Sequence, residues 1–142
     1  MEEGRQKDIF VYGRSLGGAV SIYLASSTNY KTVIKGIVLE NTFTSLHELF
    51  INKIKLLPFL GLVGIKQWNS KALIGQIEHP IMFTRSLKDN MIHPVHMKTL
   101  LESANKSKVK VDYEVETGKH QPIWYLNPGK YASALNSFFQ QA

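Results

Sequence analysis

Hydrophobic residues occur along the chain in short runs that predict buried strands. Three runs, Ile9 to Tyr12, Val33 to Leu39 and Ile81 to Thr84, are mostly apolar and rich in β-branched and aromatic side chains, as expected of strands covered on both faces. In a fourth run, residues 109–115, apolar and polar positions alternate. This strand should have one wetter face and lie toward a sheet edge.

Stretches with helical spacing lie between and after these strands. Small and apolar residues from Gly17 to Ala25 predict a first helix, Pro94 opens a second that ends near Ala104, and Asn127 with Pro128 begins the last. Because strands and helices alternate, the pattern predicts an α/β fold with a mostly parallel sheet, crossover connections and flanking helices. We expect residues 1–142 to form one domain.

Residues 41–76, called the insertion below, interrupt this alternation. The stretch is too long for a plain loop and is rich in Phe, Leu, Ile and Trp, so we expect helices of its own that form a cap over one end of the sheet. A purely structural covering is the alternative. An apolar cap favours an acyl or lipid-like ligand, although it would equally suit a membrane or a partner. The residues on which this preference rests are Leu56, Leu57, Phe59, Leu60 and Trp68.

Composition narrows the chemistry. The chain has no cysteine, which excludes disulfides, thiolate zinc sites and a catalytic thiol. Its net charge is +6, but the basic residues are dispersed, which argues against a nucleic-acid partner.

The polar first residues do not resemble a targeting peptide. The longest nearly uncharged stretch, Leu56 to Ile65, is about half the ~20 residues that a spanning helix needs.

The strongest chemical signal is Gly13-Arg14-Ser15-Leu16-Gly17, a G-x-S-x-G sequence with a predicted strand before it and a predicted helix after it. That context is the one in which a serine is presented as a nucleophile above a sheet. The crowding of such a turn suggests that Gly13 and Gly17 both lack room for a side chain. The N–H of Leu16 would then donate to an oxyanion at the helix N-terminus. A small-residue packing turn is the alternative.

A serine nucleophile requires an acid and then a histidine downstream, each after the carboxyl end of a strand. Asp89 follows the strand that begins at Ile81, and His120 follows the strand of residues 109–115. The sequence therefore predicts Ser15, Asp89 and His120 as a catalytic triad.

Rival residues exist for two of these roles. Glu40 also follows a strand and could be the acid, although anchoring the loop into the cap is the role that we expect for it. His93 and His96 with Asp89 are a weak metal signal because no further ligand is nearby in sequence. We therefore expect no metal and no organic cofactor.

Four segments carry a resemblance to a known family: Gly13 to Ala25, Gly36 to Ser45, Leu87 to Asp89 and Gly118 to His120. Together they make the chain resemble the carboxyl-terminal part of an α/β-hydrolase, more narrowly the bud-emergence-type group of α/β-hydrolase-domain-containing serine hydrolases. In that group the residues matching Ser15, Asp89 and His120 are the triad.

The resemblance also carries structural expectations. It implies a truncated α/β-hydrolase fold in which the family's first strands, the loop that donates a second oxyanion N–H and a membrane-anchored amino terminus are all missing. It thereby suggests membrane association through that missing anchor. This sequence departs from its relatives before the acid, at Thr84 to Asp89, and around the histidine, at Lys119 and at Gln121 with Pro122.

These observations predict a serine hydrolase that cleaves an ester, thioester or amide of a small acyl or peptide-like substrate by a Ser-His-Asp mechanism. Peripheral membrane contact is consistent with the apolar insertion, and the sequence leaves the oligomeric state open. The competing hypothesis is a catalytically impaired, truncated hydrolase that serves as a binding protein or is a relic, because loss of one oxyanion donor lowers turnover by about 10²–10³.

Overall fold

The computed structural model describes residues 8–53 and 68–142 of the chain. Its strands form one four-stranded sheet in the order β1-β2-β3-β4, and every neighbouring pair is parallel. The strands are β1 (Ile9–Arg14), β2 (Ile34–Glu40), β3 (Ile81–Ser86) and β4 (Lys110–Val115). The predicted parallel α/β architecture is confirmed.

Five α-helices lie within the described residues, with short 3-10 turns at Thr28–Tyr30 and Ile123–Tyr125. The helices are α1 (Leu16–Ser26), α2 (Leu46–Lys53), α3 (Ser70–Ile74), α4 (Val95–Ser103) and α5 (Pro128–Gln141). Helix α5 begins as predicted, because the side chain of Asn127 accepts a hydrogen bond from the N–H of Lys130 and Pro128 is the first helical residue. Pro94 lies one residue outside α4, at its N-cap, rather than at the first helical position.

The two faces of the sheet are covered by different helices. On one face, Ile37, Ile81 and Phe83 of the sheet pack with Ile22 of α1 and Leu100 of α4 in the main core. On the other face α5 supplies Phe138, which packs against Val38 and Met82. Because successive residues of a strand point to opposite faces, the central positions of β2 and β3 are covered on both sides and must be apolar. Ile37 to Leu39 and Ile81 to Phe83 meet that requirement, which is why both runs are recognisable as buried strands.

The outer strands differ from the central ones. Along β4, exposed and half-buried residues alternate, as the alternating sequence predicts for a strand at a sheet edge. Within the described residues β1 pairs with β2 alone, so its other side is an edge as well. None of the helices within residues 8–53 and 68–142 is long and apolar enough to cross a bilayer.

The described parts of the insertion contain the helices α2 and α3. Leu46, Leu49 and Trp68 from the insertion pack against Ala19 of α1 and Ile92, beside Phe43. The insertion therefore covers the amino-terminal half of α1 and the loop after β3. The apolar residues Leu56, Leu57, Phe59 and Leu60, on which the expected acyl preference rests, lie outside the described residues.

Candidate active site

Ser15 lies in a strained turn between β1 and α1. Its backbone angles are φ 53° and ψ −122°, in a region that residues with a side chain rarely adopt and that persists only when the surroundings enforce it. Two hydrogen bonds with residues at the end of β2 and just after it hold Ser15 in this conformation. The N–H of Ser15 donates to the carbonyl oxygen of Glu40 at 2.9 Å, and the Thr42 hydroxyl donates to the carbonyl oxygen of Ser15 at 2.6 Å.

Close packing around this turn explains two of its glycines. A Cβ at Gly13 would overlap the carbonyl oxygen of Gly17 and the hydroxyl of Ser21, and a Cβ at Gly18 would lie 2.5 Å from Cβ of Thr42. A Cβ at Gly17, in contrast, would meet no atom within 4 Å. The expectation that Gly13 and Gly17 are both crowded is therefore wrong for Gly17, and Gly18 is the second position without room.

The Ser15 hydroxyl is not used to cap the helix that follows it. Ser15 is the N-cap residue of α1, a place where serine normally accepts a hydrogen bond from a backbone N–H two or three residues later, but its side chain makes no such bond. The first helical residue is Leu16, and N–H groups of a first helical turn have no partner inside the helix. The turn thus presents a hydroxyl beside the positive end of a helix.

Asp89 and His120 are paired. Nδ1 of His120 lies 2.7 Å from Oδ2 of Asp89. The His120 side chain is 10% exposed and the Asp89 side chain 1%. The other carboxylate oxygen, Oδ1, accepts hydrogen bonds from the N–H groups of Met91 and Ile92, both at 2.8 Å. Because both oxygens have partners, the carboxylate is fixed and can orient the imidazole through Nδ1, which leaves Nε2 for chemistry.

The loop that carries His120 contacts the serine turn. Nη1 of Arg14, the residue before Ser15, donates to the carbonyl oxygen of His120 at 3.5 Å. Among the described residues no hydrogen bond joins the Ser15 hydroxyl to the imidazole. The structure therefore brings Asp89 and His120 into direct contact and places Ser15 at the next loop of the same sheet edge. Catalytic hydrogen bonds are often long without substrate and shorten when it binds.

The side chain of Glu40 makes no hydrogen bond to His120 or to a described residue of the insertion. The structure pairs His120 with Asp89 rather than with Glu40, and Oε1 of Glu40 accepts a hydrogen bond from the N–H of Ile123 at 3.1 Å instead of reaching into the insertion. Oε2 has no hydrogen-bond partner of good geometry, although the Tyr12 phenol lies near enough to influence the carboxyl. Burial raises the pKa of Glu40, against a lesser lowering by the Ile123 N–H and by Tyr12.

Asn41 and Thr42 are site residues that sequence reasoning did not single out. Asn41 is left-handed, with φ 42°, and its Oδ1 accepts a hydrogen bond from the N–H of Ser86 at 2.9 Å. It thereby ties the end of β2 to the end of β3, from which the Asp89 loop departs. The Glu-Asn-Thr sequence directly after a buried strand is the signal that could have marked both residues.

The residues suggested as metal ligands do not come together. Nδ1 of His93 accepts a hydrogen bond from the N–H of Val95 at 3.2 Å, and Nδ1 of His96 lies 2.8 Å from the Thr44 hydroxyl. Within the described residues no group of three or more His, Asp or Glu side chains is placed to hold a metal ion.

Sequence relatives cover most of this chain. The uncharacterized membrane protein YNL320W of Saccharomyces cerevisiae is 36% identical over 117 residues, or 81% of the chain. The α/β-hydrolase domain-containing protein WAV2 of Arabidopsis thaliana is 33% identical over 82% of the chain, and bem46 of Schizosaccharomyces pombe is 32% identical over 72%. The chain spans 40%, 41% and 34% of these relatives, respectively. No family model matches.

Solved structures show the same fold. The esterase Pf2001 of Pyrococcus furiosus superposes with a TM-score of 0.74 over 95% of this chain and 54% of the esterase, at 18% identity. At this identity the likeness concerns the fold, which is that of the parallel sheet and flanking helices described above. The chain belongs to the α/β-hydrolase superfamily, and its similarity to WAV2 and bem46 supports its place in the bud-emergence-type group.

Proposed function

We propose that the protein is a serine hydrolase that cleaves an ester, thioester or amide bond with Ser15 as nucleophile, His120 as general base and acid, and Asp89 as the residue that orients the imidazole. The observation that carries the proposal is the buried Asp89–His120 pair at 2.7 Å, at the same sheet edge as a strained serine turn. A packing turn alone does not account for that pair.

The proposed reaction has two steps. Nε2 of His120 takes the hydroxyl proton of Ser15 as Oγ bonds to the substrate carbonyl carbon, and the leaving group departs with that proton, which forms an acyl-serine. Water then attacks the acyl carbon and loses a proton to Nε2 of His120, which passes this proton to Oγ of Ser15 as the bond between Oγ and the acyl carbon breaks and the acid product is released. Asp89 stabilises the imidazolium in both steps, and the N–H of Leu16 donates to the oxyanion.

Side chains around the site favour an apolar acyl group. Leu16, Met91 and Trp124 are large hydrophobic residues that are 53%, 55% and 49% exposed. Each stands one to four residues from a proposed triad residue in the sequence. The turn or loop of each proposed triad residue thus carries an exposed apolar side chain, and the substrate that we propose carries an acyl or lipid-like chain that contacts these side chains. We therefore propose short- and medium-chain esters as the first substrates to test.

The assignment of Ser15 is tested by covalent labelling. The complete gene product that contains these 142 residues is treated with a fluorophosphonate probe, beside its Ser15→Ala and His120→Ala variants. A matched control is Ser133→Ala, because Ser133 lies on the exposed face of helix α5 and its hydroxyl donates only to the carbonyl oxygen of Gly129. Labelling should be lost with Ser15→Ala, strongly reduced with His120→Ala and unchanged with Ser133→Ala. Equal labelling of wild type and Ser15→Ala would refute the assignment.

The same experiment addresses the competing function. A folded wild-type protein that neither labels nor hydrolyses p-nitrophenyl esters would favour a catalytically impaired hydrolase that binds a partner. The absence of a hydrogen bond between Ser15 and His120 among the described residues is the observation that supports this second candidate.

A further inference from the structure

Glu40 contacts both halves of the candidate site. It is the last residue of β2, is 0% exposed and pairs with Arg14 of β1 in the sheet. Its carbonyl oxygen accepts the N–H of Ser15 at 2.9 Å, and its Oε1 accepts the N–H of Ile123 at 3.1 Å. Glu40 is therefore hydrogen-bonded through its backbone to the serine turn and through its side chain to the segment that follows His120.

Ile123 is a position where a lost hydrogen bond matters. Its side chain is 1% exposed and it begins the 3-10 turn Ile123–Tyr125, three residues after His120. Its N–H has no access to a partner within its own turn, because the first N–H groups of a helical turn point away from it. Without an acceptor from Glu40, this N–H would be buried and unpaired, which is unfavourable.

Burying a carboxylate at this position is energetically unfavourable. Glu40 is buried, and one of its oxygens has no partner of good geometry. An apolar side chain of similar length would fill the same volume without the cost of removing a carboxylate from water. What the carboxyl group adds over such a side chain is an acceptor for the Ile123 N–H, together with a lesser interaction with the Tyr12 phenol.

We propose that Glu40 is a positioning residue that sets the place of His120 relative to Ser15, by holding the Ile123 N–H with its side chain and the Ser15 N–H with its backbone. The proposal rests on the proposed hydrolase function for its kinetic consequences. Its structural part, that the Glu40 acceptor fixes the segment after His120, holds independently of catalysis.

The test compares two variants of equal side-chain length. Glu40→Gln keeps an oxygen that can accept the Ile123 N–H, whereas Glu40→Met keeps the length and has only a weakly accepting thioether. Glu78→Gln is the control, since Glu78 is an exposed carboxylate that pairs with Lys31 at 2.9 Å. All three are made in the complete gene product, and thermal unfolding checks that each variant is folded at the assay temperature.

The kinetic readout is the separation of kcat from KM with a p-nitrophenyl ester. A displaced general base lowers kcat while leaving substrate binding nearly intact, and displacements of about 1 Å can cost about 10²-fold. We expect Glu40→Met to lose about 10- to 100-fold in kcat with KM within about 2-fold, and Glu40→Gln to stay within about 3-fold of wild type. Equal kcat values for the two variants, whether both high or both low, would overturn the proposal.

A second readout does not need activity. Amide hydrogen exchange at Ile123, followed by NMR, should be slow in wild type and in Glu40→Gln and much faster in Glu40→Met. Equal protection in the two variants would overturn the proposal even in an inactive protein. Absence of labelling and turnover in wild type would instead refute the hydrolase function, so the two failures are distinguishable.

Discussion

The hydroxyl of Thr42 donates a 2.6 Å hydrogen bond to the carbonyl oxygen of Ser15, so a residue of the neighbouring strand's loop holds the strained turn in place. Thr42 is fully buried, and its side chain also fills the space beside Gly18. A serine with φ 53° needs such support, because residues with side chains are unstable in that conformation unless their neighbours enforce it.

The first prediction concerns this hydrogen bond. Thr42→Val keeps the shape of the side chain but removes the donor, whereas Thr42→Ser keeps the donor and removes a methyl group. We expect Thr42→Val to lower the free energy of unfolding by about 1–2 kcal/mol and to slow fluorophosphonate labelling of Ser15. Thr42→Ser should label at nearly the wild-type rate. If Thr42→Val labels as fast as wild type, the hydroxyl does not help to hold the nucleophile in its reactive conformation.

The second prediction separates two glycines of the same motif. A Cβ at Gly13 would overlap the carbonyl oxygen of Gly17, which α1 holds in place, while a Cβ at Gly17 would enter open space. Gly13→Ala should therefore destabilise the fold by about 3 kcal/mol or more. Gly17→Ala should be neutral or stabilising by up to about 1 kcal/mol, since Ala favours a helix over Gly. Urea unfolding measures both, and equal destabilisation would contradict the packing described here.

The parallel sheet could be predicted because its constraints are local. The central residues of β2 and β3, Ile37 to Leu39 and Ile81 to Phe83, are buried on both faces and apolar, so each strand is recognisable as a hydrophobic run. The candidate triad can also be predicted from the order of the strands. The carboxyl ends of parallel strands lie at one edge of the sheet, and Asp89 and His120 each follow such an end in the sequence.

The remaining features depend on contacts between distant segments. Glu40 and Ile123 are separated by 83 positions, and no spacing rule links a strand-end carboxylate to the backbone N–H of a remote turn. The expectation that Gly17 is crowded fails for a similar reason. The motif names a glycine there, but only the packed structure shows that Thr42 fills the space at Gly18 instead.

The third prediction concerns the acid. In Asp89→Asn, the amide oxygen can still accept hydrogen bonds from the N–H groups of Met91 and Ile92, but the amide nitrogen cannot accept a hydrogen bond from the Nδ1–H of His120. The imidazole would then be held in the wrong tautomer. We expect kcat to fall by about 10⁴-fold while the unfolding temperature changes little. Glu40→Gln serves as the comparison and should change kcat little; if it instead lowered kcat more than Asp89→Asn, the acid role would pass to Glu40.

The fourth prediction is a dependence of stability on pH that Glu40 causes. Burial raises its pKa in the folded chain, whereas in the unfolded chain it should titrate near its ordinary value of about 4.3. Between these two pKa values the folded chain keeps a proton that the unfolded chain has lost. The contribution of Glu40 to the free energy of unfolding therefore falls as pH rises through this window.

The groups that act on this carboxyl are Tyr12, Arg14, His120 and the Ile123 N–H, and Glu40→Gln leaves all of them in place. This variant cannot titrate at position 40, so its stability relative to wild type should increase as pH rises from about 4.3 and level off above the folded-state pKa of Glu40. Urea unfolding at a series of pH values gives the difference directly. A constant difference across the window would show that Glu40 ionises equally easily in both states.

Glu78 supplies a control of opposite sign for this measurement. Its hydrogen bond to Lys31 lowers its pKa, so its contribution to stability is present at higher pH and is lost as pH falls through the folded-state pKa. Glu78→Gln should therefore lose stability relative to wild type as pH rises, and the effect should be small because the pair is exposed to solvent. A pH dependence with the same sign in both variants would indicate a general charge effect rather than the burial of Glu40.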